Sequence, residues 1–132
     1  MNIILVTRFY PPDTGGGGIA AYARYAAIGL TRAGHHVRVI SAMTSDSKAR
    51  QMVKGVEVFR ISPHLSSNFW TRFPLLDLYI RFIRDLAYAW QVRQALLKIS
   101  GDFQPDIVEY ADIDAEGVFH PMRLCPYVVK LL

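Results

Sequence analysis

Apolar and polar positions change period several times along this chain. Ile3-Ile4-Leu5-Val6 is a continuous apolar run, the pattern of a strand buried on both faces of a parallel sheet. Pro11-Pro12-Asp13 breaks the run and Gly15-Gly16-Gly17-Gly18 follows as a loop free of Cβ hindrance. Ile19, Tyr22, Ala23, Ala26, Ala27 and Leu30 recur at helical spacing, which predicts a helix over 19–33. Gly34 is placed to end it. Residues 37–41 read as a second strand, 44–55 as a polar loop, and the alternating 56–61 as a third strand. Residues 63–67 read as a turn or loop, and 69–73 are aromatic and irregular. A long helical pattern covers 75–99, with Leu76, Tyr79, Ile80, Ile83, Leu86, Ala87, Trp90 and Leu97 expected on the core side. A short strand at 107–110, a loop and short helix over 112–118, and a strand at 126–131 complete the pattern.

The order β-α-β-β-α-β-α-β predicts a doubly wound α/β domain, a mostly parallel sheet with helices on both faces. The 132 residues suit one domain. The last strand has no helix after it to cover it, so the chain is expected to be incomplete.

Composition excludes some classes. With 52% hydrophobic and 20% charged residues the chain is no disordered tail. It has no apolar stretch of membrane-spanning length, and the start is too short and lacks the basic lead of a signal peptide. A single cysteine, Cys125, forms no internal disulfide, which fits a reducing compartment. It reads as a small core residue. The net charge of +4 hides an asymmetry: residues 1–101 carry 13 Lys/Arg against 5 Asp/Glu. Asp102, Asp106, Glu109, Asp112, Asp114 and Glu116 then follow without a base. A basic body favours anionic partners, and the acids lack His or Cys at metal-ligand spacing, so no metal site is expected.

The glycine run is the sharpest chemical signal. It lies between the first strand and the first helix, where open α/β sheets bind ligands. A helix N-terminus there offers free N–H groups and partial positive charge to a phosphate. Gly15-x-Gly17-x-x-Ala20 formally fits a dinucleotide fingerprint, but residues 8–14 separate it from the strand, whereas that fingerprint follows its strand directly. The second strand ends in Ile40-Ser41-Ala42, without a ribose-binding acid. No Gly-Lys-Ser/Thr follows the glycines, which excludes a P-loop.

Several segments in order carry a resemblance. Ile3-Ile4-Leu5-Val6-Thr7 is followed by Phe9-Tyr10-Pro11-Pro12-Asp13 and the four glycines. Then come Leu30-Thr31-Arg32-Ala33-Gly34-His35-His36-Val37-Arg38-Val39-Ile40, Pro105-Asp106-Ile107-Val108-Glu109, and Pro126-Tyr127-Val128-Val129-Lys130-Leu131. Together they resemble the N-terminal domain of family 4 (group 1) glycosyltransferases of the GT-B fold. The resemblance implies a Rossmann-like, acceptor-side domain over residues 1–132. It implies a retaining transfer of sugar from a nucleotide-sugar donor to an acceptor hydroxyl, with the nucleotide-sugar as substrate and no cofactor. Gly15, Gly16, Gly17 and Gly18 are then expected at the donor phosphates or transferred sugar. The family's donor-binding half, with its glutamate pair, is absent from these residues. Leu132 stands where the family often has a histidine, so no turnover is expected from residues 1–132 alone.

Glu109, Asp112 and Asp114, at the carboxyl end of a strand, are candidates for binding acceptor hydroxyls, with loop solvation and helix capping as the bland alternative. His35 and His36 follow the helix stop and read as structural. Residues 69–98 interleave Arg72, Arg81, Arg84, Arg93 and Lys98 with aromatics, a pattern that either covers a core or lies on an anionic membrane. The expected setting is cytoplasmic, with peripheral contact at the inner membrane face under the second of these alternatives, and the acceptor a sugar, lipid-linked or small-molecule hydroxyl. No nucleic-acid module motif is present. Two other readings stay open: a nucleotide- or dinucleotide-binding oxidoreductase domain, and a non-catalytic module with the same fold.

Overall fold

The computed structural model describes residues 1–14, 17–62, 74–111 and 116–130. Its elements are β1 (Asn2–Val6), α1 (Gly18–Arg32), β2 (His36–Ala42), β3 (Arg50–Val53), β4 (Val56–Ile61), α2 (Pro74–Phe103), β5 (Ile107–Ala111) and β6 (Tyr127–Lys130). The strands form a sheet of order β3-β4-β2-β1-β5-β6. All neighbours are parallel except β3, which runs antiparallel to β4. Successive β1 side chains enter opposite layers. Ile3 and Leu5 pack with Ala23 and Ala27 of α1, while Ile4 and Val6 pack with Val92 and Leu96 of α2. The run Ile3-Ile4-Leu5-Val6 is apolar throughout because both faces are covered.

α1 ends as its sequence requires. Gly34 has φ 90°, its N–H donates to the Thr31 carbonyl, and the His35 N–H donates to the Leu30 carbonyl. These two bonds form a Schellman stop, which needs a residue that tolerates positive φ.

Three expectations are corrected. Residues 44–55 are not all loop, because Arg50–Val53 pairs with β4 as a hairpin. Its two-residue turn, Lys54-Gly55, has φ 51° and 84°, the positive pair that a tight hairpin demands. The X-Gly dipeptide between alternating segments was the available signal. Of the short helix expected by residue 118, the described end is not helical: residues 116–119 are turns, and 112–115 lie outside the described residues, as do 63–73.

The third correction concerns α2. Its period was right and its phase was wrong. The buried residues are Tyr88, Ala89, Val92, Leu96 and Ile99, whereas Trp90 and Leu97 are 50% and 42% exposed. Residues 74–84 include no buried position. Apolar residues there circle the helix and pulled the expected stripe away from the true one. Trp90 instead meets the Phe119 ring edge-on at 5.6 Å, and Arg93 Nη1 donates to the Phe119 carbonyl at 3.1 Å. That face of α2 holds the 116–119 turn.

Beneath the turn, Tyr110 is buried with its hydroxyl 2.8 Å from His120 Nδ1, and His120 Nε2 lies 3.1 Å from the Cys125 carbonyl oxygen. The Nε2–H tautomer satisfies both contacts, since Nδ1 then accepts from the phenol. Burial pushes the Tyr110 hydroxyl well above its ordinary range, so it keeps its proton. A Cβ on Gly117 would stand 3.1 Å from the Tyr110 ring, close enough that the ring would have to shift by a few tenths of an ångström. Cys125 packs against the same core cluster, and burial raises its thiol pKa, which fits a packing residue.

Candidate functional site

The carboxyl edge of the sheet gathers the candidate residues. After Val6 the chain forms a loop before α1. Its Thr7 N–H donates to the Ile40 carbonyl, and the Ala42 N–H donates to the Arg8 carbonyl, so the loop extends along β2. Thr14 Oγ1 accepts from the Tyr10 N–H at 2.7 Å and donates to the Tyr10 carbonyl at 3.0 Å. The Pro11-Pro12 peptide between them is cis.

Gly17 is the N-cap of α1, with φ 120° and ψ 174°, a backbone region open in practice to glycine alone. Gly18 is the first helical residue. Helix N-termini normally recruit a Ser, Thr, Asp or Asn cap, or an acid in the first turn. α1 has no side-chain cap and no acid there. Among the described residues, no capping side chain and no first-turn acid occupies its first N–H groups and partial positive charge, which suits an anion. Gly15 and Gly16 lie outside the described residues.

Glu109 sits on β5 opposite Leu5 of β1 and Val128 of β6. It shares the α1 face of the sheet with Ile107. Tyr22, one turn into α1, donates its hydroxyl to Glu109 Oε1 at 2.5 Å. Lys130, at the end of β6, donates to the same hydroxyl at 2.8 Å and stands 4.0 Å from the ring centroid. The Tyr22 hydroxyl pKa is raised by burial and by its bond to Glu109, against the pull of Lys130. The ammonium pKa is raised in turn by its bond to Tyr22. The phenol thus stays neutral and the ammonium charged at neutral pH, and with Glu109 they tie α1, β5 and β6 together. Such a cluster can accept from, and donate to, the hydroxyls of a polar ligand.

Sequence reading found Glu109 but not Tyr22 or Lys130. They lie 108 residues apart, no local motif links them, and only the order of the sheet joins them. The structure does not gather the acidic run into one patch. Asp102 pairs with Arg38, which draws its carboxyl pKa down, and Asp106 accepts from the Asn2 N–H at the amino edge. Glu116 is buried, and Asp112 and Asp114 lie outside the described residues. His36 opens β2 opposite Asn2, at the amino edge and away from the glycine loop, in keeping with a structural part for Gly34-His35-His36. A groove of about 590 Å³ runs between α2 and β4, floored by Phe59, Ile61, Ala95 and Ile99 and flanked by Arg50 and Lys98. Gly17, Gly18, Tyr22, Glu109 and Lys130 take no part in it.

Comparison with known proteins agrees with this architecture. Residues 17–131 match the glycosyl transferase 4-like domain. The chain belongs to that family. Among solved structures it is similar to sucrose-phosphate synthase from Thermosynechococcus elongatus, with 16% identity and a TM-score of 0.65. It is also similar to the catalytic domain of starch synthase IV from Arabidopsis thaliana bound to ADP and acarbose, with 19% identity and a TM-score of 0.63. Each likeness covers 96% of this chain and 32% of the other. The chain therefore spans about a third of the length of these structures, and it has the Rossmann-like α/β fold of the N-terminal half of a GT-B glycosyltransferase. No curated protein matches it.

Proposed function

We propose that this chain is the acceptor-side domain of a retaining glycosyltransferase that moves a hexosyl group from a nucleoside diphosphate sugar to an acceptor hydroxyl. One observation carries the reading: the N-terminus of α1 lacks both a capping side chain and an acid behind a glycine run, in a chain of a glycosyltransferase family. The N–H groups of that first turn are suited to stabilise charge that develops on the departing diphosphate. Gly15, Gly16, Gly17 and Gly18 form the donor approach. Glu109, with Tyr22 and Lys130, and the neighbouring Asp112 and Asp114 form the acceptor side. Residues 1–132 supply one wall of a cleft and turn over no sugar alone. The test is to express the whole open reading frame and the 132-residue chain side by side with UDP-, GDP- and ADP-sugars. Transfer by the first and none by the second is expected. Substantial transfer by the short chain, or tight NAD binding without nucleotide-sugar binding, would overturn the reading.

The same proposal places the enzyme at a membrane surface. No helix among the described residues is long and apolar enough to cross a bilayer. The first half of α2, however, exposes Leu75, Leu78, Tyr79 and Phe82 beside Arg81 and Arg84, which fits an interfacial helix on anionic lipid. In flotation at low salt the protein is expected to rise with vesicles containing phosphatidylglycerol and to stay behind with phosphatidylcholine alone. Equal behaviour with both lipids would remove the electrostatic part of the contact.

A further inference from the structure

Arg60 is a buried cation that the chemistry above leaves unused. It lies on β4 opposite Ser41 of β2, on the α1 face with Val56 and Val58, and its side chain is 0% exposed. A guanidinium in such a place is costly unless its partners are fixed around it. Its partners lie on the loop that leads into the glycines and on β2. Nη1 donates to Thr14 Oγ1 at 3.0 Å, to Ser41 Oγ at 3.3 Å and to the Ala42 carbonyl at 3.3 Å. Nε lies 3.6 Å from Asp13 Oδ2. Asp13 Oδ2 also accepts from Gln51 Nε2 on β3 at 3.0 Å, and Ser41 Oγ donates to the Arg8 carbonyl at 3.1 Å. Burial pulls the guanidinium pKa down and the Asp13 carboxylate opposes that.

We infer that Arg60 is a positioning residue for the glycine loop. It anchors Asp13 and Thr14, the last described residues before the glycines, to β2 and β4. It thereby fixes where the first turn of α1 meets the donor diphosphate. The inference rests on the donor reading proposed above and adds to it a residue that touches no substrate. Three features separate it from an ordinary buried ion pair. The contacts with the loop fall on one short stretch, at Asp13 and Thr14. Thr14 Oγ1 sits at the centre, bonded at once to Arg60 and to both backbone groups of Tyr10. The third element, β3, reaches the same carboxylate through Gln51. The loop is thus held from two strands beneath it and one beside it, and small displacements of groups that meet a reacting phosphate cost up to ~10²-fold in rate.

The experiment compares Arg60→Met, Arg60→Lys and Thr14→Val in the product of the whole open reading frame. Donor KM, acceptor KM, kcat and melting temperature are measured for each. Arg60→Met is expected to raise donor KM about tenfold or more and to lower kcat, with acceptor KM within about twofold. Lysine restores part of the loss because it keeps the charge beside Asp13. Thr14→Val keeps the bulk and removes the hydroxyl, so it shifts donor KM in the same direction even where Arg60→Met folds poorly. A folded Arg60→Met or Thr14→Val enzyme with wild-type donor KM and kcat overturns the inference, whatever its melting temperature.

A second readout is independent of turnover. Amide exchange at Ala21, whose N–H donates to the Gly17 carbonyl, is expected to quicken at least tenfold in Thr14→Val, while Val39 and Val58 in the strands keep their protection. Uniform quickening at all three positions would mean that Thr14 and Arg60 serve general stability only. A wild type that transfers no sugar yet shows the loop-specific exchange would sink the proposed function and leave Arg60 as the anchor of the loop.

Discussion

Replacing Gly17 with valine is expected to cost about 1–3 kcal/mol of stability and to lower nucleotide-sugar affinity by one to two orders of magnitude. The stability cost follows from backbone geometry alone. At φ 120° a side chain is strained although a Cβ would meet nothing within 4 Å. Turning the first peptide of α1 would relieve that strain and move the N–H groups proposed to face the phosphate. Hydrogen bonds to a charged group contribute about 1.5–3 kcal/mol each, hence the estimated loss in affinity. Gly18→Ala is the matched comparison. Gly18 has ordinary helical geometry and open space around it, so alanine is expected to be neutral or to stabilise by up to about 1 kcal/mol. It still places a methyl group on the proposed donor approach. Chemical denaturation and titration with UDP-glucose, GDP-mannose and ADP-glucose separate the two effects. A Gly18→Ala protein with greater stability and undiminished donor affinity would show that the phosphate does not lie on this turn.

Leu96→Ala is expected to cost about 2–5 kcal/mol, a large part of the roughly 5–15 kcal/mol that hold a domain together. Leu97→Ala is expected to change stability by no more than about 0.5 kcal/mol. The two leucines are neighbours of one chemical kind. Leu96 is 0% exposed and packs with Val92, Ile99 and Ile4, whereas Leu97 is 42% exposed. Urea unfolding followed by circular dichroism measures the difference in midpoint, with similar slopes if both variants unfold as the wild type does. Equal costs at the two positions would contradict the rotational setting of α2.

That pair also shows where sequence pattern fails. Periodicity in 75–99 gives the helix, though not its end at Phe103, because local hydrogen bonding fixes 3.6 residues per turn. It does not give the phase when apolar residues surround the first turns. Those turns carry no buried residue, yet their leucines and aromatics weigh in the pattern as much as the true core does. β1 offered no such ambiguity, since a strand covered on both faces needs no phase. The Gly34 stop was legible for a related reason: a Schellman turn is local and needs positive φ. β3 was missed because its four residues carry little signal and gain their place only by pairing with β4.

The candidate site divides in the same way. Chain order determined that a glycine run would stand between a strand and a helix, and helix physics makes a helix N-terminus without a cap suited to an anion. Residue type and position at a strand end sufficed to single out Glu109. Tertiary structure alone decided that Tyr22 and Lys130 meet at Glu109, and that Arg60 holds Thr14 from two strands away. Such contacts depend on the β3-β4-β2-β1-β5-β6 strand order and on the face each side chain takes, and pairings between distant residues leave no local periodicity to read. The sequence determined by itself the α/β class, its two main helices with most of the strands, and the glycine N-cap of α1, because each follows from forces within a few residues.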